Sequence, residues 1–157
     1  MIYPQILLGL VASVSAIDAY FHLGQNCDGP SILCTNLNPG VCCTASASNT
    51  VGYRGIPTDW VITAEAFTGG GCKNFSARGR AQNTNFICIY PAPGGGPFTG
   101  TKYSFTSRKR DGVEGTCAAA EEAAGKCSSS QKPNELHLAD GTKYNIVDLK
   151  HDLLEEL

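Results

Sequence analysis

The 157-residue sequence predicts a mainly β fold, small and held by disulfides, on three observations. Eight cysteines follow an apolar leader, which reads as a disulfide framework in an exported chain. Short runs of β-branched and aromatic residues are separated by Gly, Pro, Asn and Asp, the punctuation of strands and turns. Within Val51 to Phe105 an aromatic-Thr-Gly step occurs twice, as Phe67-Thr68-Gly69 and Phe98-Thr99-Gly100, each after an extended run and each read as the corner of a β-hairpin.

The chain opens with an apolar stretch from Ile6 to Val14 that ends in Ser13-Val14-Ser15-Ala16. A bilayer span needs about 20 apolar residues, so this stretch is too short to cross. A short apolar core with small residues at its end is a secretory leader, residues 1–16, cut after Ala16 with Ala19 as the alternative. No later stretch is long and apolar enough to anchor the chain, so release to the extracellular medium is expected. Residues 17–157 are one domain in size: a cysteine-rich N-terminal module, 17–50, packed on the β-domain of 51–157.

All eight cysteines, Cys27, Cys34, Cys42, Cys43, Cys72, Cys88, Cys117 and Cys127, lie beyond the leader. Eight allow about 105 pairings, and the sequence does not choose among them. The neighbours Cys42 and Cys43 are expected to take different partners, because bridging adjacent residues is strained. There is no Cys-x-x-Cys, and His22, His137 and His151 are dispersed, so no metal and no cofactor are expected.

Taken in order, Tyr20 to Asn49 is rich in turn formers and needs little regular structure. Val51, Tyr53 and Ile56 alternate with Gly52, Arg54 and Gly55, as a half-buried strand does. Trp60, Ile62, Ala64 and Ala66 point one way, Val61, Thr63 and Glu65 the other. Gly69-Gly70-Gly71 makes a corner closed by Phe75, and Arg78 to Asn85 reads as a polar connection. Phe86 to Tyr90 is a strand, Pro91 to Pro97 a loop, and Lys102 to Thr106 alternates again. Thr116 to Gly125 is rich in Ala and Glu, a short helix between Cys117 and Cys127, and Ser128 to Pro133 is a linker. Leu136 to Ile146 reads as two short strands around Asp140-Gly141, a hairpin signal. Ile146, Leu149, Leu153 and Leu157 fall on one helical stripe, with Asn145 as N-cap, which predicts a short C-terminal helix.

The region from Trp60 to Tyr103 resembles the βγ-crystallin Greek-key motif. Trp60-Val61-Ile62 leading to Phe67-Thr68-Gly69 is similar to one unit, and Ile87 to Tyr90 leading to Phe98-Thr99-Gly100 and Tyr103 to another. The resemblance implies a Greek-key β-sandwich. This chain has two such units where a full crystallin has four, and it lacks the adjacent Asn/Asp pair of the family's calcium site. Single-motif secreted members of that fold are disulfide-linked killer toxins. The whole chain also resembles the small cysteine-rich secreted proteins of filamentous fungi, many of them effectors. Both resemblances imply a secreted, non-enzymatic antagonist that binds a host or competitor protein, glycan or membrane surface.

Charge is uneven. Residues 51–110 carry eight Lys and Arg against Asp59 and Glu65, whereas residues 111–157 carry four Lys against ten acids, and the total is −2. An acidic total argues against nucleic acid as the main partner. Lys73, Arg78, Arg80, Lys102 and Arg108 form the candidate binding face. Lys109 and Arg110 are a candidate dibasic processing site, and Asn74-Phe75-Ser76 is a glycosylation sequon at Asn74. Catalysis requires a base, an acid and an electrophilic stabiliser together. His22, Glu65, Arg78, Arg80 and His137 supply the types, but no spacing collects them, so no catalytic residue is assigned. A small secreted hydrolase and a wall or matrix component remain the alternatives, and a monomer is expected.

Overall fold

A computed structural model of the chain describes residues 16–106 and 129–147. They form β1 (Ile17–His22), β2 (Ser31–Leu37), β3 (Cys42–Ser48), β4 (Thr50–Arg54), β5 (Val61–Thr68), β6 (Asn74–Gln82), β7 (Phe86–Ile89), β8 (Phe98–Phe105), β9 (Ser130–Gln131), β10 (Glu135–His137) and β11 (Lys143–Asn145). No helix occurs among the described residues. The strands make a six-stranded sheet, ordered β11-β10-β2-β1-β4-β7, and a five-stranded sheet, ordered β6-β5-β8-β3-β9. Every ladder is antiparallel except that of β3 with β9.

The sheets pack face to face because β1 and β4 of one and β5 of the other present buried apolar residues at alternate positions. In β5, Ile62, Ala64 and Ala66 are buried while Val61, Thr63 and Glu65 are half-buried. Val51 and Tyr53 of β4 and Ile17, Ala19 and Phe21 of β1 enter the same core from the other sheet. Tyr53 and Tyr103 meet edge to face at 5.9 Å between ring centres. Burial pushes both phenols above their ordinary pKa, so each keeps its proton and must place it. Tyr103 donates to the Leu37 carbonyl at 2.9 Å. Thr101 donates to the Glu65 carbonyl, which leaves the Tyr53 hydroxyl as donor to Thr101 at 2.8 Å.

Three disulfides cross this frame: Cys27–Cys88, Cys34–Cys43 and Cys42–Cys72. Cys42 and Cys43 do take different partners. Cys34 and Cys43 are core residues on β2 and β3, so their bond joins the two sheets through the interior. The other two bonds each tie a loop onto the outside of a sheet. Gly52 lies between the core residues Val51 and Tyr53 and so faces outward; a Cβ there would meet Cys27 Sγ at 3.4 Å. The loop after β1 therefore lies over the six-stranded sheet, held by Cys88 of β7. Gly100 plays the same part in the five-stranded sheet. A Cβ there would sit 2.3 Å from the Gly71 carbonyl oxygen, because the loop of residues 69–73 lies over β8, held by Cys72–Cys42.

Four expectations are corrected. Tyr20 to Asn49 holds much regular structure: it takes in the end of β1 and all of β2 and β3, with β1 and β2 inner strands of one sheet and β3 in the other. Its turn formers sit between strands, at Leu23–Pro30 and Asn38–Val41. Arg78 to Gln82 is strand, not connection, paired along its length with β5. Its alternation is hidden because the inward residues are small: Ala77 packs against the core, Ala81 is fully buried, and a Cβ on Gly79 would meet Ile89 at 3.1 Å. Phe98-Thr99-Gly100 is no corner, since it lies inside β8 and its glycine admits the overlying loop; Phe67-Thr68-Gly69 does end a strand, with Gly69 at φ 81°. Ser130–Gln131 within the expected linker forms a short strand on β3.

The hairpin around Asp140-Gly141 is present, with Glu135 opposite Asn145 and His137 opposite Lys143. Asn145 Oδ1 accepts the Val147 N–H at 3.0 Å, an Asx-turn bond, and Ile146 is buried. The C-terminal helix expected from Ile146 to Leu157 falls, after Val147, on residues outside the described ones. Residues 1–15 of the expected leader, the helix expected at Thr116 to Gly125, Cys117, Cys127, Arg108, Lys109 and Arg110 also lie outside the described residues.

Candidate functional site

The outer face of the five-stranded sheet gathers most of the expected basic face. Three rows cross β6, β5 and β8. Arg80, Thr63 and Ser104 form one, Arg78, Glu65 and Lys102 the next, and Phe75, Phe67 and Gly100 the third. Arg78 and Lys102 flank Glu65, with Arg78 3.9 Å from its carboxylate. Both cations also lean toward the aromatic row. The Arg78 guanidinium stands 4.9 Å from the centre of the Phe75 ring, and Lys102 Nζ stands 5.3 Å from that of Phe67. The two rings meet edge to face at 6.2 Å. Phe67 is buried although it stands outside the inter-sheet core, while Phe75 is 51% exposed.

Lys73 is exposed at the end of the β5–β6 hairpin, next to the sequon residue Asn74, which is also exposed. Arg108 of the expected face lies outside the described residues. Sequence reasoning missed Phe67 and Phe75 as members of this face. The signal was available in the Thr63/Glu65 alternation once β6 is read as a strand beside it.

The six-stranded sheet carries a second cluster on its outer face, around Tyr20. His22 stacks on the Tyr20 ring at 5.6 Å and His137 meets it edge-on at 5.7 Å. His137 Nε2 is 2.9 Å from Glu135 Oε2. The Arg54 guanidinium stands 5.6 Å from the Tyr20 ring and 4.4 Å from that of Phe86. Burial raises the Tyr20 pKa, helped by Asp18 and Glu135 and opposed by Arg54. The fold thus brings together His22 and His137, which the sequence leaves 115 positions apart.

Two members of this cluster are committed to structure. His22 is sealed under the loop after β1, with neither ring nitrogen hydrogen-bonded, and burial and then Arg54 push its pKa below the ordinary value. Arg54 donates to the Cys27 carbonyl at 3.1 Å, fastening that loop. No group of three potential metal ligands occurs among the described residues.

Residues 18–134 match the family ARB_05566_N, described as an N-terminal domain. The chain belongs to that family. It is also similar, at 24% identity over 96% of this chain and 78% of the relative, to an "Uncharacterized secreted protein" of Arthroderma benhamiae. No solved structure matches. The protein is a small secreted fungal-type protein rich in disulfides. No helix among the described residues is long and apolar enough to cross a membrane.

Proposed function

We propose that this protein acts after secretion as a non-enzymatic recognition module, effector-like or killer-toxin-like, and that it binds a host or competitor target through the outer face of the five-stranded sheet. The observation that carries the reading is the pairing of Arg78 with Phe75 and of Lys102 with Phe67 across three strands. Cations held over rings on a rigid sheet lose little freedom on binding, so more of each contact remains as affinity. The bridge Cys42–Cys72 supports the reading because it fixes the loop at one end of the face. The crystallin-like, Greek-key part of the proposal is supported by two packed antiparallel sheets and by the Gly69 corner, and weakened by Gly100 lying inside a strand. The protein works as a monomer without cofactor, and nucleic acid is not its target.

The test is binding of the folded secreted protein to host or competitor cells, compared with the double variant Arg78→Glu/Lys102→Glu. At least a tenfold loss is expected, and undiminished binding by a folded variant refutes the assignment. A second reading, a small hydrolase, draws on His137, Glu135 and Tyr20 on the other sheet. A hydrolytic activity of the pure protein that disappears in His137→Ala would replace the first reading with this one.

A further inference from the structure

We infer that the occupant of the five-stranded sheet's outer face is an acidic polysaccharide, a chain of uronate sugars; the inference rests on that face being the recognition surface. Its form argues for a polymer. The rows Arg80-Thr63-Ser104 and Arg78-Glu65-Lys102 lie on an open sheet; Arg80 is exposed and the Arg78 side chain is 64% exposed, so these two cations stay largely hydrated, while Lys102 is half-buried. One exposed ion pair is worth about 0–1 kcal/mol, too little to hold a small anion. A polyanion engages several cations at once, and after the first contact the others are intramolecular.

The spacing suits a linear repeat. Arg78 and Arg80 occupy alternate positions of β6, about 6.8 Å apart along the strand, and Lys102 lies two strands away, about 10 Å across. Lys73 extends the charge past the hairpin end. Glu65 offsets one cation and leaves the face with a surplus of positive charge. Phe75 supplies the other half of the recognition. It is half exposed beside Arg78, and a ring so placed stacks against the C–H face of a pyranose while the guanidinium meets its carboxylate.

The same features disfavour other polyanions. An anionic membrane rewards several projecting apolar side chains, and on this face Phe67 is sealed and only Phe75 projects. Duplex nucleic acid carries one charge per about 1.7 Å of its axis, so a molecule of total charge −2 whose residues 111–157 carry ten acids repels it more strongly than a polymer with one carboxylate per sugar ring.

The experiment measures binding of the intact secreted protein to polygalacturonate, to the same polymer methyl-esterified, to vesicles of phosphatidylserine and phosphatidylcholine, and to duplex DNA. Binding to polygalacturonate alone is expected, weakening as salt rises. Arg78→Glu/Arg80→Glu is expected to lower it at least tenfold and Phe75→Ala several-fold, each variant being checked for native circular dichroism and intact disulfides. Esterification is expected to remove it. No binding to polygalacturonate, equal binding to the ester, or binding that survives charge reversal overturns the inference, as does preference for vesicles or DNA. If polygalacturonate fails while charge reversal still abolishes binding to target cells, the face stands as the recognition surface and the polysaccharide assignment alone falls.

Discussion

Gly100 occupies a place where a methyl group has no room, since the Gly71 carbonyl oxygen would lie 2.3 Å from it. That oxygen is backbone in a loop held by Cys72, so it cannot swing aside. Gly100→Ala is expected to destabilise the protein by about 1–3 kcal/mol in urea unfolding, the range of overpacking with backbone displacement. Gly96→Ala, in open space, is expected to stay within about 0.5 kcal/mol. His22 makes a pH-dependent contribution whose sign follows from its lowered pKa. Above the ordinary histidine value of 6.5 both folded and unfolded states hold it neutral. As the pH falls below that value the unfolded chain takes the proton first, because the folded site is buried and faces Arg54, which together outweigh the backbone of Gly29 and Asp28 and the Asp28 carboxylate pulling the other way. Stability is therefore expected to decline below pH 6.5 until the folded pKa is reached, and His22→Gln should flatten that decline in a series of thermal melts.

Strands and bridges carry the next level of organisation. In the chain-entropy account, a bridge closing 61 residues removes about 4 kcal/mol of unfolded-state freedom, and one closing 30 removes about 3.5. Cys27→Ala/Cys88→Ala should thus lower the unfolding free energy at least as much as Cys42→Ala/Cys72→Ala, with both losses in the range of about 2–4 kcal/mol. Strands with large inward residues were legible from the sequence. Trp60 and Ile62 announce β5, with Ala64 and Ala66 continuing their alternation against the polar Thr63 and Glu65, and Asp140-Gly141 announces the β10–β11 hairpin. β6 was not legible, because Ala77, Gly79 and Ala81 give no hydrophobic alternation; their smallness answers to the neighbouring β7, whose Ile89 lies against Gly79. The cluster at Tyr20 was illegible for another reason. Its members come from β1, β4, β7 and β10, and only the strand order of the sheet makes them neighbours.

At the scale of the molecule, the three bridges among the described residues divide the work of holding the fold there. One fastens sheet to sheet through the core, and two fold loops onto opposite outer surfaces. The first of those loops seals His22, and the second borders the cationic and aromatic rows. The charge division between residues 51–110 and 111–157 could be read from composition, but which cations share a surface needed the pairing of β6 with β5 and β8. This arrangement depends on connectivity that eight cysteines leave open, so mapping the cross-linked peptides of the unreduced secreted protein tests it most directly. Peptides joining Cys27 to Cys88, Cys34 to Cys43 and Cys42 to Cys72 are predicted. Recovery of Cys42 or Cys72 with any other partner would contradict it, for the loop over Gly100 would then lack its tether.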